Sequence, residues 1–355
     1  MSVPAASPFL PLIGKGRAFL HSTAARPAAP HAANASASTA RARFAASIAA
    51  AIASAVLAAA CGTAEGPAKS QASSDRGSAD GAVSAVDAAG RSVRLSHPAR
   101  RIVSLIPSAT ETLVEIGAGD RLVGRTDFDH GPAVDRLPSV GGGMTPSLEA
   151  LVSLKPDLVL GWETSKDQRI RERLGEMGIP VFAVKAEDTT DVFRTVRSLG
   201  MLTARTRTAD SLLGALRTEL AAVRASVAGK RAPSVFFLVW NDPPMTAGPR
   251  TFISQLLGIA GGRNVFTDAA TDWPNVSMEE IVRRDPDILV LPQGEKGGAH
   301  DVRALRGEPG WRELRALREG HVVIVPADLV NRPGPHLAQA ARLLRDGLHP
   351  DAARP

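Results

Sequence analysis

The chain has one cysteine and no tyrosine in 355 residues, and aromatic side chains make up only 4% of it. With a single thiol no internal disulfide is possible. Acidic residues are missing from one whole region: there is no Asp or Glu before Cys61, while Lys15, Arg17, Arg26, Arg41 and Arg43 supply five positive charges there. The formal net charge is +6, so setting those five aside leaves +1 for the rest of the chain. The basic balance belongs to the N-terminal segment, and it gives no support to a nucleic-acid-binding function. Long apolar runs are scarce too. The strongest, RARFAASIAAAIASAVLAAAC (41–61), holds roughly 17 apolar residues and is too rich in alanine, and slightly too short, for a membrane span.

Two arginines before that run and small residues at its end give it the form of a secretory signal. It closes on Cys61. A cysteine directly after a signal's apolar part resembles the bacterial lipoprotein pattern, in which the thiol takes a diacylglyceryl group and several acyl chains hold the protein on a membrane. Ala58 stands three places before it, where Leu is usual, with Leu57 one place further back. The alternative is simple cleavage at an Ala-x-Ala site. Residues 1–61 are thus expected to be an N-terminal extension with a signal or lipoprotein segment, and the protein to be exported, periplasmic or membrane-anchored. Residues 62–82, rich in Gly, Ser and Ala, read as a flexible tether.

From Val83 onward strand and helix patterns alternate, the signature of α/β structure with mostly parallel sheets. A hairpin is expected over 83–96, turning near Ala89-Gly90. RIVSLIPSATETLVEIGAG starts as a buried strand, Ser108 to Glu111 has capping-box spacing, and the helix is expected to stop at Gly117 or Gly119. From about 191 to 229 no proline interrupts a helical pattern, and Leu212, Leu213, Leu216, Leu220, Val223 and Val227 form one stripe. The expected organisation is an N-terminal lobe (83–190), a connecting helical segment (191–229) and a C-terminal lobe (230–355). The fold class is two Rossmann-like α/β lobes joined by one long backbone helix, with the ligand cleft between them.

One sentence of sequence is written twice. SLEALVSLKPDLVL (147–160) returns 130 positions later as SMEEIVRRDPDILV (277–290), with Ser, Glu, Val, Pro and Asp at the same places. Ser147 and Ser277 are expected N-caps, which puts Glu149 and Glu279 in the first turn of a helix, where a carboxylate complements the helix dipole. The same arrangement in both lobes also offers a pair of exposed carboxylates to arginines on a two-fold-related partner, where charge pairs set register and encounter rate.

In open α/β sheets ligands collect beyond the carboxyl ends of the strands. There the sequence places Arg125 and Phe128, Trp162, Trp240, and Asp328 with Arg332; Trp273 falls in the loop before the second copy of the repeat. Three of the four tryptophans are therefore expected in loops at a cleft, where flat aromatic surfaces suit a large, partly apolar ligand. Asp328 and Arg332 also fit a surface ion pair four residues apart. GGGM (141–144) lacks the Gly-Lys-Ser/Thr of a phosphate loop and reads as a sharp turn or a point of close approach. No Gly-x-Ser-x-Gly, His-Glu-x-x-His or cysteine pair is present, and of eight scattered histidines only His130 and His336 stand near the cleft loops. Neither catalysis nor a metal site is expected.

RIVSLIPSATETLVEIGAGDRLVG and SLEALVSLKPDLVLGW are similar to the opening segments of class III solute-binding proteins of ABC importers, which bind cobalamin, ferric siderophores or haem. The resemblance runs from about Val83 to the end. It implies that Glu149 and Glu279 dock onto a permease dimer driven by its ATPase, that the chain is a monomer without a resident cofactor, and that Phe128, Trp162, Trp240, Trp273, Asp328 and Arg332 line the ligand pocket. NDPPMTAG (241–248) and TDWPNVS (271–277) resemble loops of the cobalamin branch, which implies a corrinoid ligand. Phe128 stands where that branch usually has Tyr, Gly143 where it can carry Trp, and Val239 where it can carry Phe. A ferric siderophore is the rival ligand, received by Arg125, Arg250 and Arg332. Haem ranks lower, since its binders often ligate iron through Tyr.

If Cys61 carries the anchor, Cys61→Ser is expected to move the protein from the membrane fraction to the soluble exported fraction and to abolish incorporation of labelled fatty acid. Retention of label and membrane association would contradict it.

Overall fold

The computed structural model describes residues 81–164, 168–293 and 302–352. The signal segment, Cys61 and all of the tether except Gly81 and Ala82 lie outside them. The first elements are the antiparallel pair β1 (Val83–Val86) and β2 (Ser92–Leu95). Asp87 organises its turn, accepting from the backbone N–H of Ala89 and Arg91 and from the Arg91 guanidinium, and Gly90 takes a positive φ.

The N-terminal sheet contains β3 (Ile102–Ser104), β4 (Leu122–Gly124), β7 (Leu158–Trp162) and β8 (Val181–Val184), all parallel, in the order β4-β3-β7-β8. The small ladder β5 (Gly141–Gly142) with β6 (Thr145–Pro146) sits between β4 and β7 in the chain. Helices α1 (Pro107–Glu115), α2 (Leu148–Ser153) and α3 (Gln168–Glu176) make the crossovers. Both faces of the sheet are covered, so its strands are nearly continuous apolar runs. Val103, Leu105 and Val159 join Leu151 and Leu174 on one face; Ile102, Leu158 and Leu160 face the main core.

Next in the chain are α4 (Thr189–Leu202) and α5 (Thr206–Ser226). The connecting segment is thus two helices, where the sequence pattern runs unbroken. Ala204 adopts φ +50, and the Arg205 N–H bonds back to the Gly200 carbonyl. The reversal lets α4 and α5 pack so closely that a Cβ on Gly200 would lie 2.5 Å from that of Ala209. α4 covers the N-terminal lobe, while α5 is the lobe-joining rod, 21 residues or about 31 Å long. Its buried stripe is Ala209, Leu213, Leu216, Leu220 and Val223.

In the C-terminal lobe β9 (Ser234–Asn241), β12 (Ile288–Gln293) and β13 (Val322–Pro326) run parallel, with β10 (Pro244–Thr246) antiparallel and β11 (Arg263–Asn264) parallel along β9. The helices are α6 (Phe252–Ile259), α7 (Met278–Arg284), α8 (Val302–Gly307), α9 (Arg315–Glu319), α10 (Ala327–Val330) and α11 (Leu337–Leu348). Alternate residues of β9 serve two cores: Phe236 and Leu238 pack with the buried Trp311, while Val235 and Phe237 join the core that also contains Leu160 and Phe182. One apolar core therefore runs through both lobes.

The repeat has a structural meaning. Its last conserved residue, Asp157, accepts the backbone N–H groups of Arg100 and Arg101 just before β3. Asp287, 130 positions later, accepts the N–H and hydroxyl of Ser234 at the start of β9. Two residues before each, Lys155 and Asp285 adopt left-handed φ values of 47 and 37. Each copy thus ends its helix in the same unusual turn and ties its strand to the neighbouring central one. The backbone N–H of Ser234, aided by Arg315, holds the Asp287 carboxyl down at about 2.

Asp287→Ala is expected to destabilise the fold by about 1–3 kcal/mol, since it leaves strand-end donors unpaired. Because the folded pKa lies below the unfolded value, this stabilisation is present above about pH 4 and lost as pH falls toward 2. Urea titrations of wild type and variant should therefore differ at pH 7 and converge in acid.

Candidate functional site

The carboxyl ends of the two sheets face each other. After β8, the Glu187 carbonyl accepts the Phe252 N–H at the start of α6 (2.7 Å), and Thr189 bonds through N–H and hydroxyl to Gln255. After β13, Gly334 lies against α1, where an added Cβ would come within 2.9 Å of Ser108.

Between these contacts sits an ion-pair network. The Arg332 guanidinium reaches Asp328 Oδ1 at 2.8 Å in its own lobe, and Glu111 Oε1 at 3.2 Å and the Phe128 carbonyl at 3.1 Å in the other. Phe128 is held by a tight loop: Asp129 accepts the Thr126 N–H and hydroxyl, and Thr126 Oγ1 accepts the Phe128 N–H. The structure thus brings Phe128, Asp328 and Arg332 together. The ring of Phe128 is exposed.

Glu111 is the residue that sequence reasoning places in a capping box. The helix starts two residues earlier than that reading requires, with Pro107 at its first position, Ile106 as N-cap and no side-chain cap. Ser108 is therefore inside the helix and buried, and Glu111 is released to the lobe interface. Proline before the serine is the available signal. Burial pushes the Glu111 carboxyl above its ordinary pKa, with Arg332 opposing. Glu111, Arg332, His130 and His336 share a groove of about 140 Å³.

The tryptophans are arranged differently from expectation. Trp162 is the last residue of β7 and Trp240 the second-last of β9, and of the three only Trp273 lies in a loop. Trp162 pairs across the ladder with Val184 and, like Trp273, is partly buried against the core that crosses both lobes. Trp240 is exposed and donates its indole N–H to the Asp242 carbonyl. It faces Met245 in β10, and Met245 in turn bridges to Asn275, two residues from Trp273. Trp240 and Trp273 thus flank one hairpin of the C-terminal lobe, whereas Trp162 stands on the N-terminal sheet. Among the described residues, Arg125 Nε, Glu163 Oε2 and Asn241 Oδ1 are buried polar atoms at these strand ends without a hydrogen-bond partner.

GGGM is a turn and also a point of close approach. Gly141 takes φ +91, and Gly143 is pressed so closely on the Leu105 carbonyl that a Cβ would sit 2.3 Å away. No larger side chain fits there in this backbone, which accounts for the glycine where the cobalamin branch can carry Trp.

Ser147 and Ser277 cap α2 and α7, accepting the N–H of Ala150 and Glu280. Glu149 and Glu279 stand exposed in the first turns, and neither has an ion-pair partner among the described residues. Each helix precedes a strand of a parallel sheet, so its N-terminus lies at the strands' carboxyl end. Glu280 is engaged locally by Arg283 and Arg284, which hold its carboxyl below the ordinary range. Arg284 also pairs with Asp268 and stacks over the Phe266 ring at 4.2 Å.

A family described as periplasmic binding protein matches residues 102–329. An uncharacterised ABC transporter substrate-binding lipoprotein of Bacillus subtilis, YvrC, is 31% identical over 276 residues, 76% of this chain and 86% of that protein. A vitamin B12-binding protein of Pectobacterium carotovorum is 30% identical over 246 residues, 68% of this chain and 86% of its own length. Among solved structures, a possible iron-binding periplasmic solute-binding protein of Staphylococcus epidermidis superposes with a TM-score of 0.62 at 29% identity, over 71% of this chain and 99% of that one.

Arg332→Ala is expected to leave the partly buried Glu111 without its cation and to cost about 1–3 kcal/mol at neutral pH. The Glu111 pKa then rises further, so the deficit is full above that pKa and disappears where the carboxyl is protonated in both folded and unfolded chains. Thermal melts at pH 7.5 and pH 4 check this.

Proposed function

The chain belongs to the periplasmic binding protein family and is the extracytoplasmic solute-binding component of an ABC importer, and on that premise we propose that its solute is a corrinoid. A permease and an ATPase are its partners, and the family binds solutes rather than transforming them. The observation that carries the ligand reading is the set of large aromatic surfaces contributed by both lobes: Phe128 and Trp162 from one, Trp240 and Trp273 from the other. Flat apolar walls of this kind suit a broad macrocycle. The partnerless Glu163 Oε2 and Asn241 Oδ1 accept hydrogen bonds, and Arg125 Nε donates one, so a ligand rimmed by neutral amides satisfies both kinds. The similarity to a vitamin B12-binding protein points the same way.

A ferric siderophore is the second reading, favoured by the likeness to a possible iron-binding protein. Of the three arginines that reading assigns to an anionic chelate, Arg250 is engaged by Asp272 and Arg332 by Glu111 and Asp328. Haem is weaker still, because no tyrosine exists to ligate its iron.

In this reading Glu149 and Glu279 meet arginines of the permease dimer, their exposure and lack of local partners leaving both carboxylates available. Glu280, tied to Arg283 and Arg284, stays with its own lobe. The protein acts as a monomer held to the membrane by a lipid on Cys61.

Tryptophan quenching should report saturable binding of cyanocobalamin and weaker or no response to ferric siderophores and haem. Tight siderophore binding with no corrinoid response overturns the assignment. The double variant Glu149→Ala/Glu279→Ala is expected to reduce uptake at least about tenfold, the equivalent of 1.4 kcal/mol in docking, while ligand affinity stays the same. Unchanged uptake sinks the docking role.

A further inference from the structure

Nearly every cation at the strand ends is matched by a carboxylate. Arg171 lies 3.7 Å from Glu163, Lys185 2.7 Å from Glu187, Arg250 3.1 Å from Asp272, and Arg332 3.2 Å from Glu111 and 2.8 Å from Asp328. Arg125 has no carboxylate partner among the described residues, but its Nη1 is turned into its own loop by the Thr126 carbonyl. Arg332 is matched twice, and the two matches differ in weight. The Asp328 side chain is 67% exposed, so its charge is screened by water and salt; that of Glu111 is 27% exposed and that of Arg332 21%.

Glu111 therefore supplies the compensating charge that acts through the lower-dielectric side of the pair. It also holds the guanidinium in place against the Phe128 carbonyl. Its burial makes the ionised form costly, as the upward displacement of its carboxyl shows, and a carboxylate is not needed there to complete a helix cap.

We propose that Glu111 is a specificity-determining residue: by pairing with Arg332 at the lobe interface it removes the positive charge that would otherwise receive an anionic ligand, and so reserves the cleft for uncharged ones. The Arg332–Glu111–Asp328 group carries a net charge of −1 when ionised, so a carboxylate or catecholate entering beside it meets repulsion. An uncharged ligand meets only hydrogen-bonding groups and aromatic walls. This deepens the ligand reading above and rests on the same cleft, but it concerns ligand charge and not ligand scaffold. The geometry also assigns Glu111 a positioning role, acting on the ligand through Arg332.

The test uses two ligand pairs, each a neutral member against an anionic one. One is neutral cyanocobalamin against the same molecule with one peripheral amide hydrolysed to a carboxylate. The other is a neutral ferric tris-hydroxamate against a ferric tris-catecholate of charge −3. Affinities of the mature protein and of Glu111→Gln are measured by tryptophan quenching. Wild type is expected to prefer the uncharged member of whichever pair it binds. In Glu111→Gln the anion-to-neutral affinity ratio should rise at least about tenfold, which a merely structural lesion, weakening both members alike, does not produce. Asp328→Asn, at the exposed partner, should shift the ratio by less than Glu111→Gln and keeps the proposal testable should Glu111→Gln fold poorly: with Glu111 intact, the preference for the neutral ligand persists. An unchanged ratio in Glu111→Gln, or loss of neutral preference in Asp328→Asn, overturns it. Hydroxamate binding without corrinoid binding overturns the corrinoid reading alone, because the charge ratio is then read on the iron pair. A wild type that binds neither scaffold, or prefers the anion, removes the basis of this proposal.

Discussion

Burial along α5 is the constraint on which the rest of the structure depends. Ala209, Leu213, Leu216, Leu220 and Val223 disappear into a core that also contains strand residues of both sheets. Each fully buried leucine contributes about 1.5–3 kcal/mol, so the helix cannot separate from either lobe without large loss. Near its start, Thr208 bonds to the Ile116 carbonyl at the end of α1, and beyond its end Val227 packs on Gly261. A rod fixed at both ends sets the spacing of the two sheets, and the Arg332–Glu111 bridge together with the Glu187–Phe252 bond closes the gap from the other side. Of the candidate residues, Trp162 and Trp240 are therefore placed by the sheets, while Phe128, Trp273 and Arg332 stand in loops held by local hydrogen bonds and ion pairs.

Within that frame, the parallel sheets are readable in the sequence because strands covered on both faces must be apolar throughout, as β3, β7, β9 and β12 are. The repeat is readable for a second reason: Ser147 and Ser277, and Asp157 and Asp287, do the same hydrogen-bonding work in each lobe. The break between α4 and α5 is not. Thr203, Ala204 and Arg205 include no glycine or proline, and the glycine that goes with the turn, Gly200, stands inside α4, where its part is to let Ala209 approach. Trp162 and Trp240 read as loop residues because the last one or two positions of a strand carry no mark that separates them from the adjoining loop, though both residues pair in ladders.

Glu111 shows the limit most clearly. Its spacing from Ser108 fits a cap, and only the helix start at Pro107 turns that side chain outward to meet an arginine 221 positions away. Separation of that size leaves no periodic signal. The candidate site is therefore legible as a collection of residue types at strand ends, while its charge balance, which bears on what it accepts, needs coordinates.

The two copies of the repeat are alike in backbone but not in surface. α7 carries Glu280, Arg283 and Arg284, the last braced by Asp268 from outside the helix, while at the positions corresponding to those three the first copy has Ala150, Ser153 and Leu154. In the docking proposed above for Glu149 and Glu279, a partner assembled from two identical subunits would touch a plain acidic tip with one subunit and a braced, mixed-charge tip with the other. Its own symmetry would thereby be broken at each such encounter, with the two subunits taking unlike parts.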